Sequence, residues 1–541
     1  MRRLSSALLL VLAIPVLSAQ AQQGASPNLA DLKTTAEASG FKSTSTYAEV
    51  VTFMETVDKA SPLIHMTNYG TTSENRTMPM AVVGIGLKDA SAASVLASGK
   101  LRVHIQGNIH AGEVEGKEST LILLREFAQG RHAEWLQSMV FLITPIFNAD
   151  GNERYGLRNR PRQNGPINGM GTRGTAQNIN INRDFMKLET PEGRAFVKLW
   201  NDYNPHVGMD LHTSDGSTHG YHLTYSPPLN PNTSDFIMTL MKNEWFPFVT
   251  EQIRAKHKWE TFYYGNVGRG GGPAPAAGAP PAPRAWGTFE HVPRFHNNYV
   301  GMRNRFALLS EAYAYATFED RIKATNYFIE EAMNFAHRNA AKIRQAVEDA
   351  DREAVTGKTL ATRARIKNGG MIEILMGEVE DEKNPVDGGV MNRRKDVIIK
   401  EQMTDRLWFE PTATATAPSE YYIPASATKA LELLRHHGIM MKQITAPVTG
   451  LQQFTIATNV QAAPRAGIDI NGHALRTLTG AWAAGSATAP AGSWLVPMNQ
   501  PLARLAFYLL EPNSDDGVTT WNFLDEMLGE GVTVYPILRK Q

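Results

Sequence analysis

The chain has 541 residues, 42% of them hydrophobic and 20% charged, a balance that fits a soluble globular protein and excludes a disordered, fibrous or membrane-embedded one. Its 54 basic and 53 acidic residues nearly cancel, which gives no support for binding nucleic acid or another polyanion. There is no cysteine, so disulfides, thiolate metal ligands and cysteine nucleophiles are excluded.

Residues 1–21 combine an early Arg2-Arg3 pair, an apolar stretch from Ala7 to Leu17 and the small-residue pattern Ala19-Gln20-Ala21. These are the three parts of a secretory signal peptide, cleaved after Ala21. The apolar stretch is shorter than the roughly 20 residues a spanning helix needs. The expected mature protein is therefore exported, periplasmic or secreted, with no stable membrane anchor. Residues 27–60 read as polar helix. TMPMAVVGIG (77–86) and LRVHIQG (101–107) read as strands, and EGKESTLILLREFAQG (115–130) as a helix closed by Gly130. MVFLITPIFNADG (139–151) is a continuous apolar run, as in a strand buried on both faces. TPEGRAFVKLWNDY (190–203) is helical, while PHVGMDLHTSDG (205–216) and RNRFALLSEAYAY (303–315) are further strands. Strands alternating with helices predict an α/β fold: a mixed, mostly parallel sheet flanked by helices. The Gly/Pro/Ala-rich stretch 268–286 predicts a surface loop. A long charged amphipathic helix (319–354) precedes a change of texture. This places a boundary near 355, with a larger α/β domain over 22–355 and a smaller C-terminal α+β domain over 356–541 with its own core.

His110 and Glu113, in HAGE, follow directly on an apolar strand. A histidine three residues before a glutamate can close on one ion where the chain turns, and both side chains suit zinc. Glu113 equally suits a helix N-terminus. A third ligand would come from His104, His132, His206, His212, His219 or His222. His212 is the best placed, because it ends an apolar run as His110 does, at the strand ends where open sheets carry their sites. His104 lies inside a strand and reads as packed core. Glu311 stands in the apolar segment FALLSEAYAY. A carboxylate there is expensive to bury unless it is functional or paired, for instance with Arg303 or Arg305. Asn182-Arg183 lies in a loop before a helix, where a guanidinium can bind a carboxylate through two parallel bonds. Upstream, Arg154, Arg158, Arg160 and Arg162 cluster, able to hold an oxyanion or simply to face solvent.

Taken in order, HAGE, NADG, the Arg-rich loop, NINRDF, DLHTSDG and LLSEAY resemble the motifs of the zinc carboxypeptidase (funnelin) family, over roughly residues 45–325. The resemblance implies one Zn2+ per chain on His110, Glu113 and His212, with Glu311 as general base. It implies Asn182 and Arg183 as the grip on the terminal carboxylate of a peptide or peptide-like substrate. It also implies an arginine that polarises the scissile carbonyl, assigned to Arg160 ahead of Arg158 or Arg162, and a capping tyrosine, assigned to Tyr299. A metallocarboxypeptidase is the leading expectation. The alternatives are a zinc amidase or deacylase, which would ignore a free C-terminal carboxylate, and a non-catalytic binding protein, which the retained ligands and base argue against.

Overall fold

The computed structural model describes residues 29–214, 216–268 and 284–541. The expected signal peptide and nearly all of the Gly/Pro/Ala-rich stretch lie outside the described residues. Among the described residues, ten strands precede residue 315: β1 (Ile64–Thr71), β2 (Thr77–Val83), β3 (Leu101–Gly107), β4 (Met139–Thr144), β5 (Val207–Thr213), β6 (Leu223–Ser226), β7 (Thr261–Tyr263), the short β8 (Asn266–Val267) and β9 (Ala285–Gly287), and β10 (Phe306–Ala312). Eight of them form one sheet in the order β1-β2-β4-β3-β5-β10-β6-β7. The pairs β3/β4, β3/β5, β5/β10 and β6/β7 are parallel, and the other three are antiparallel. The mixed, mostly parallel sheet expected from the sequence is the one observed.

Side chains alternate across a strand, so each strand feeds two cores. Val103, Ile105, Phe141, Met209 and Leu308 pack beneath the helices Tyr47–Ala60, Glu115–Ala128 and Phe318–Arg338. Val82, Val140, Leu142 and Ala307 face the other way, toward Phe196 and Trp200 of the helix Pro191–Tyr203. The long helix expected over 319–354 is divided at Asn339 into Phe318–Arg338 and Ala340–Arg352.

The C-terminal region is richer in strand than an even α+β mixture. In chain order it contains β11 (Thr359–Lys367), the long hairpin β12 (Met371–Lys383) and β13 (Val390–Arg406), and β14 (Trp408–Thr416). Then come β15 (Glu420–Ile423), β16 (Lys442–Gln443), β17 (Val448–Gln461), β18 (Arg476–Ala489), β19 (Trp494–Pro497) and β20 (Leu538–Lys540). β13 extends a sheet through β9 to β8, so the region shares a sheet with the first half. It also shares a core. Ile423, Leu434, Leu505 and Phe507 join the cluster that holds Val82, Leu142, Phe196 and Trp200. The helix Ala503–Leu510 is buried on every side, Arg504 included. The region keeps a small core of its own around Tyr422, Leu451, Ala489, Leu495 and Leu538, while its larger cluster is continuous with the sheet face that helix Pro191–Tyr203 only partly covers. Strand periodicity in the region marks which residues are buried but not against what.

Helix Glu115–Ala128 lies unusually close to the sheet. A Cβ on Gly116 would fall 2.5 Å from Leu211 Cβ, and one on Gly107 would fall 2.6 Å from the Gly116 carbonyl carbon. Gly116→Ala should push the helix away from β3 and β5 and destabilise the protein by about 1–3 kcal/mol, the usual penalty for overpacking. A fall in the urea midpoint would register it, and an unchanged midpoint would show that the helix can shift freely.

Candidate active site

β3 ends at Gly107, and the chain then turns through Asn108, which holds φ +67°, a left-handed conformation that asparagine tolerates. Between the two ligand candidates the chain turns again through Ala111 and Gly112, and the Glu113 backbone N–H donates to the His110 carbonyl at 2.9 Å. Gly112 is also needed for space, since a Cβ there would meet Arg160 Cγ at 2.7 Å. The turn brings His110 and Glu113 to the mouth of the sheet, and His212 arrives from the C-terminal end of β5. One donor atom from each of the three lies within 4.8 Å of the others. His110 Nδ1 is 3.1 Å from Glu113 Oε1, and His212 Nδ1 is 2.9 Å from Glu113 Oε2. All three residues are buried.

The outer nitrogens are held as well. His212 Nε2 is 2.7 Å from Asp210 Oδ2, and His110 Nε2 is 2.9 Å from Asn180 Oδ1. With a cation between the inner nitrogens, these acceptors would keep the ring protons on Nε2 and leave both Nδ1 atoms to face the ion, the arrangement that orients metal-ligating histidines. Burial, and then Arg173, push His110 down to about 4, so it stays neutral. Against their burial, Asp210 and Glu113 hold His212 well above the ordinary histidine range, while His110 and Arg160 hold Glu113 well below the carboxylate range. A cation entering here meets an anionic carboxylate and two imidazoles, and must displace a proton from His212. Two nitrogens and one oxygen converging in this way match the donor set of a catalytic zinc site with one position left open.

Glu311 pairs in register with His212 across the parallel β5/β10 ladder, so the two project from the same face. It is the one residue of β10 that is not fully buried, and it lines the cleft. Arg303 and Arg305 precede the opposite end of β10, bonded to Asn201 and Asp351 respectively. They are not where the sequence-based alternative would place partners for Glu311.

The cleft, of about 440 Å³, is also lined by Asn182, Arg183 and Arg160. Asn182 Oδ1 accepts the His296 backbone N–H at 2.8 Å, which ties this loop to the helix His296–Met302. Arg183 lies 3.5 Å over the ring of Phe295. Burial, followed by repulsion from Arg173, lowers Arg183 to about 9, still cationic at neutral pH. Arg160 is fastened on three sides, donating to Glu113 Oε1 at 2.9 Å, Thr213 O at 2.8 Å and Gln163 Oε1 at 3.0 Å.

Three sequence expectations are corrected by position. Arg158 and Arg162 turn away from the cleft and bond Asp387 and Asp381 of the β12–β13 hairpin. Tyr299 is fully buried, with its hydroxyl 2.9 Å from His437 Nδ1, and does not reach the cleft. Proximity in sequence to Glu311 pointed to Tyr299, but its helix faces the core. Sequence reasoning missed Arg173, which lines the cleft 3.2 Å from His110 Nδ1 and 3.3 Å from Glu113 Oε1. Its signal was its place in the same loop as Asn182-Arg183, beyond the denser arginine cluster that drew attention. His104 is core, as expected, its ring 2.9 Å from Thr144 Oγ1 and 3.1 Å from the Trp200 indole nitrogen.

A family model described as zinc carboxypeptidase matches residues 50–242. Carboxypeptidase 2 of Trichophyton rubrum is 24% identical over 474 residues, 83% of this chain and 79% of that protein. Carboxypeptidase 2 of Trichophyton tonsurans is 23% identical over 467 residues, 82% and 77% of the two chains. Residues 50–242 belong to the zinc carboxypeptidase family. Among solved structures, the chain aligns with a metallo-carboxypeptidase from Burkholderia cenocepacia over 55% of its length and 70% of the other, at 16% identity and TM-score 0.39. Carboxypeptidase A of Helicoverpa armigera aligns over 58% and 76%, at 14% identity and TM-score 0.39. The segment matched by the family holds His110, Glu113, Asn182, Arg183 and His212 and stops short of Glu311, which the β5/β10 pairing supplies. By family the chain is a hydrolase of the metallocarboxypeptidase class. Among the described residues no helix is long and apolar enough to cross a membrane.

Asp210→Ala should weaken metal retention about 10–100-fold, the usual effect of losing a partner that orients a ligand. Competition with a chelator measures it, and unchanged retention would show that His212 needs no such support.

Proposed function

We propose that the chain is a zinc-dependent carboxypeptidase that removes the C-terminal residue of exported peptides, with one zinc ion held by His110, Glu113 and His212. The observation that carries this reading is the presence of Asn182 and Arg183 in the same cleft as the three ligands and Glu311. A hydrolase that ignored a free carboxylate would have no use for a guanidinium there. Zinc at this centre would supply a Lewis acid and a water of lowered pKa.

The chain's own residues supply the rest. Arg183 receives the substrate carboxylate through two charge-assisted bonds, with Asn182 beside it. Glu311 takes a proton from the attacking water and returns it to the departing amine. Arg160 has its donors committed to Glu113 and to the Thr213 carbonyl, so we give it the task of fixing the ligand. Arg173, more exposed and on the same side of the cleft, is assigned to the oxyanion, in place of the arginines favoured from sequence. The terminal side chain would lie against Leu309, Tyr264, Phe289 and Phe295, which line the cleft near Arg183. Leu309 sits two residues before Glu311, on the same face of β10. Phe289 stacks on Phe295 with ring centroids 5.4 Å apart. This wall favours a large apolar terminal residue.

A blocked peptide ending in a free acid should be cleaved by the zinc-loaded protein, and its C-terminal amide should not. Equal cleavage of both would replace the carboxypeptidase with an amidase. Terminal Phe or Leu should exceed terminal Ala in kcat/KM by about 10–150-fold, the value of burying ~1.5–3 kcal/mol of apolar side chain. Glu311→Gln should keep its zinc and lose about 10²–10⁴-fold in kcat. Near-normal turnover of the zinc-loaded variant would remove Glu311 from proton transfer. Arg183→Met should lower kcat/KM for the free acid about 30-fold or more, with an undiminished value ruling out the carboxylate grip.

A further inference from the structure

The family match ends at residue 242, but the cleft does not. Asp469, in the turn between β17 and β18, lines it. The turn docks on the loop that carries Asn180, Asn182 and Arg183. Asn180 donates its backbone N–H to Ile468 O at 2.9 Å, and Asn471 Nδ2 donates to Glu189 Oε2 at 3.3 Å. His473 Nε2 is 2.7 Å from Glu189 Oε1, while its Nδ1 is 3.0 Å from Asn522 Oδ1. Lys187, from the same loop, lies 4.4 Å over the ring of Trp521.

One contact bears directly on the metal centre. Asn180 Oδ1 faces His110 Nε2 at 2.9 Å and also accepts the Asn182 backbone N–H at 3.0 Å. A backbone N–H can only be met by the oxygen, so the amide has one allowed sense. Its nitrogen then points away from His110 and donates to Asp469 Oδ1 at 2.6 Å. With the amide reversed, an NH2 would face the ring N–H of His110, and the histidine would have to move its proton to Nδ1, the atom that faces Glu113.

We infer that Asp469 is a positioning residue for the metal centre, fixing through Asn180 the tautomer in which His110 offers Nδ1 to the ion. The inference rests on the reading of His110, Glu113 and His212 as a zinc site. Through Asp469 the C-terminal region, which lies beyond the matched segment, becomes part of the active site. Asp469 is exposed, and against its partial desolvation Arg183 and the Asn180 bond hold it below the ordinary carboxylate range, so it is a charged acceptor at neutral pH.

The test is zinc affinity by chelator competition on the full chain, with thermal midpoints alongside. The set is wild type, Asp469→Ala, Asp469→Asn, Asn180→Ala and the double alanine variant. Wild type should bind one zinc. Asp469→Ala should bind it about tenfold more weakly, at the low end of what outer partners of metal ligands contribute, with an unchanged midpoint because the residue is on the surface. Asp469→Asn keeps an acceptor oxygen and should stay within about twofold of wild type on hydrogen-bond grounds. In the Asn180→Ala background, removing Asp469 should add nothing, the signature of one acting through the other. Zinc affinity unchanged in Asp469→Ala, whatever happens to KM, would overturn the inference. So would a loss in Asp469→Asn equal to that in the alanine variant, or additive losses in the double variant, since either would mean that the charge acts directly. Failure of wild type to bind zinc would sink the underlying site reading instead, and is distinguishable because it appears before any variant is compared.

Discussion

Everything at the centre depends on one buried carboxylate. Glu113 stands within hydrogen-bond reach of both candidate histidines, takes bonds from Arg160 and Arg173, and accepts the Thr213 backbone N–H at 3.1 Å. An uncompensated charge at that depth would cost far more than a typical fold can spare, so it persists only because its oxygens are met from several directions. Each direction is a different part of the chain: the turn after β3, the end of β5, and the two arginine-bearing stretches of the loop after β4. The parallel register of β3, β5 and β10 is what brings the strand ends to one place. Glu311 stands beside His212 for the same reason, since in-register partners on parallel strands share a face.

Around that carboxylate the polar groups form shells of unequal kind. His212 is backed by a carboxylate, Asp210, whereas His110 is backed by a neutral amide, Asn180. The two imidazoles therefore differ in basicity although they face the same glutamate. An anionic partner strengthens the His212 nitrogen as a donor and raises the energy needed to remove its proton. The amide can do its work only in one orientation, and its backing lies in the second half of the chain. The centre is thus built from residues spread over more than 350 positions, from His110 to Asp469.

That spread explains why the C-terminal region does not behave as a separate unit. It contributes strands to a shared sheet, apolar side chains to a shared core and a turn to the edge of the cleft. The β12–β13 hairpin also pairs Asp381 and Asp387 with Arg162 and Arg158, so the arginine-rich loop is held on two sides: by Glu113 at Arg160 and by the hairpin at its neighbours. Three arginines spaced two apart, which an extended strand would put on one face, end in unrelated roles because the loop turns and bends over residues 157–161 and Arg162 takes φ +66°.

The sequence by itself determined the alternation of strands and helices, the strand ends on which His110 and His212 sit, the exceptional place of Glu311 in an apolar segment, and the pairing of Asn182 with Arg183. These are local signals. Burial periodicity and ligand spacing are set within a few residues, and the order of the motifs along the chain supplied the rest. Only the tertiary structure decided the remainder. Tyr299, near Glu311 in sequence, faces the core because its helix packs there, and Arg173, outside the conspicuous arginine cluster, enters the cleft. Asn108 takes a left-handed conformation ahead of His110, and Gly112 leaves room for Arg160. The C-terminal region shares its larger core with the first half, and places Asp469 behind Asn180. Each of these depends on which surface an element meets, and that is fixed by packing between segments far apart in the chain, where no spacing or periodicity carries the information.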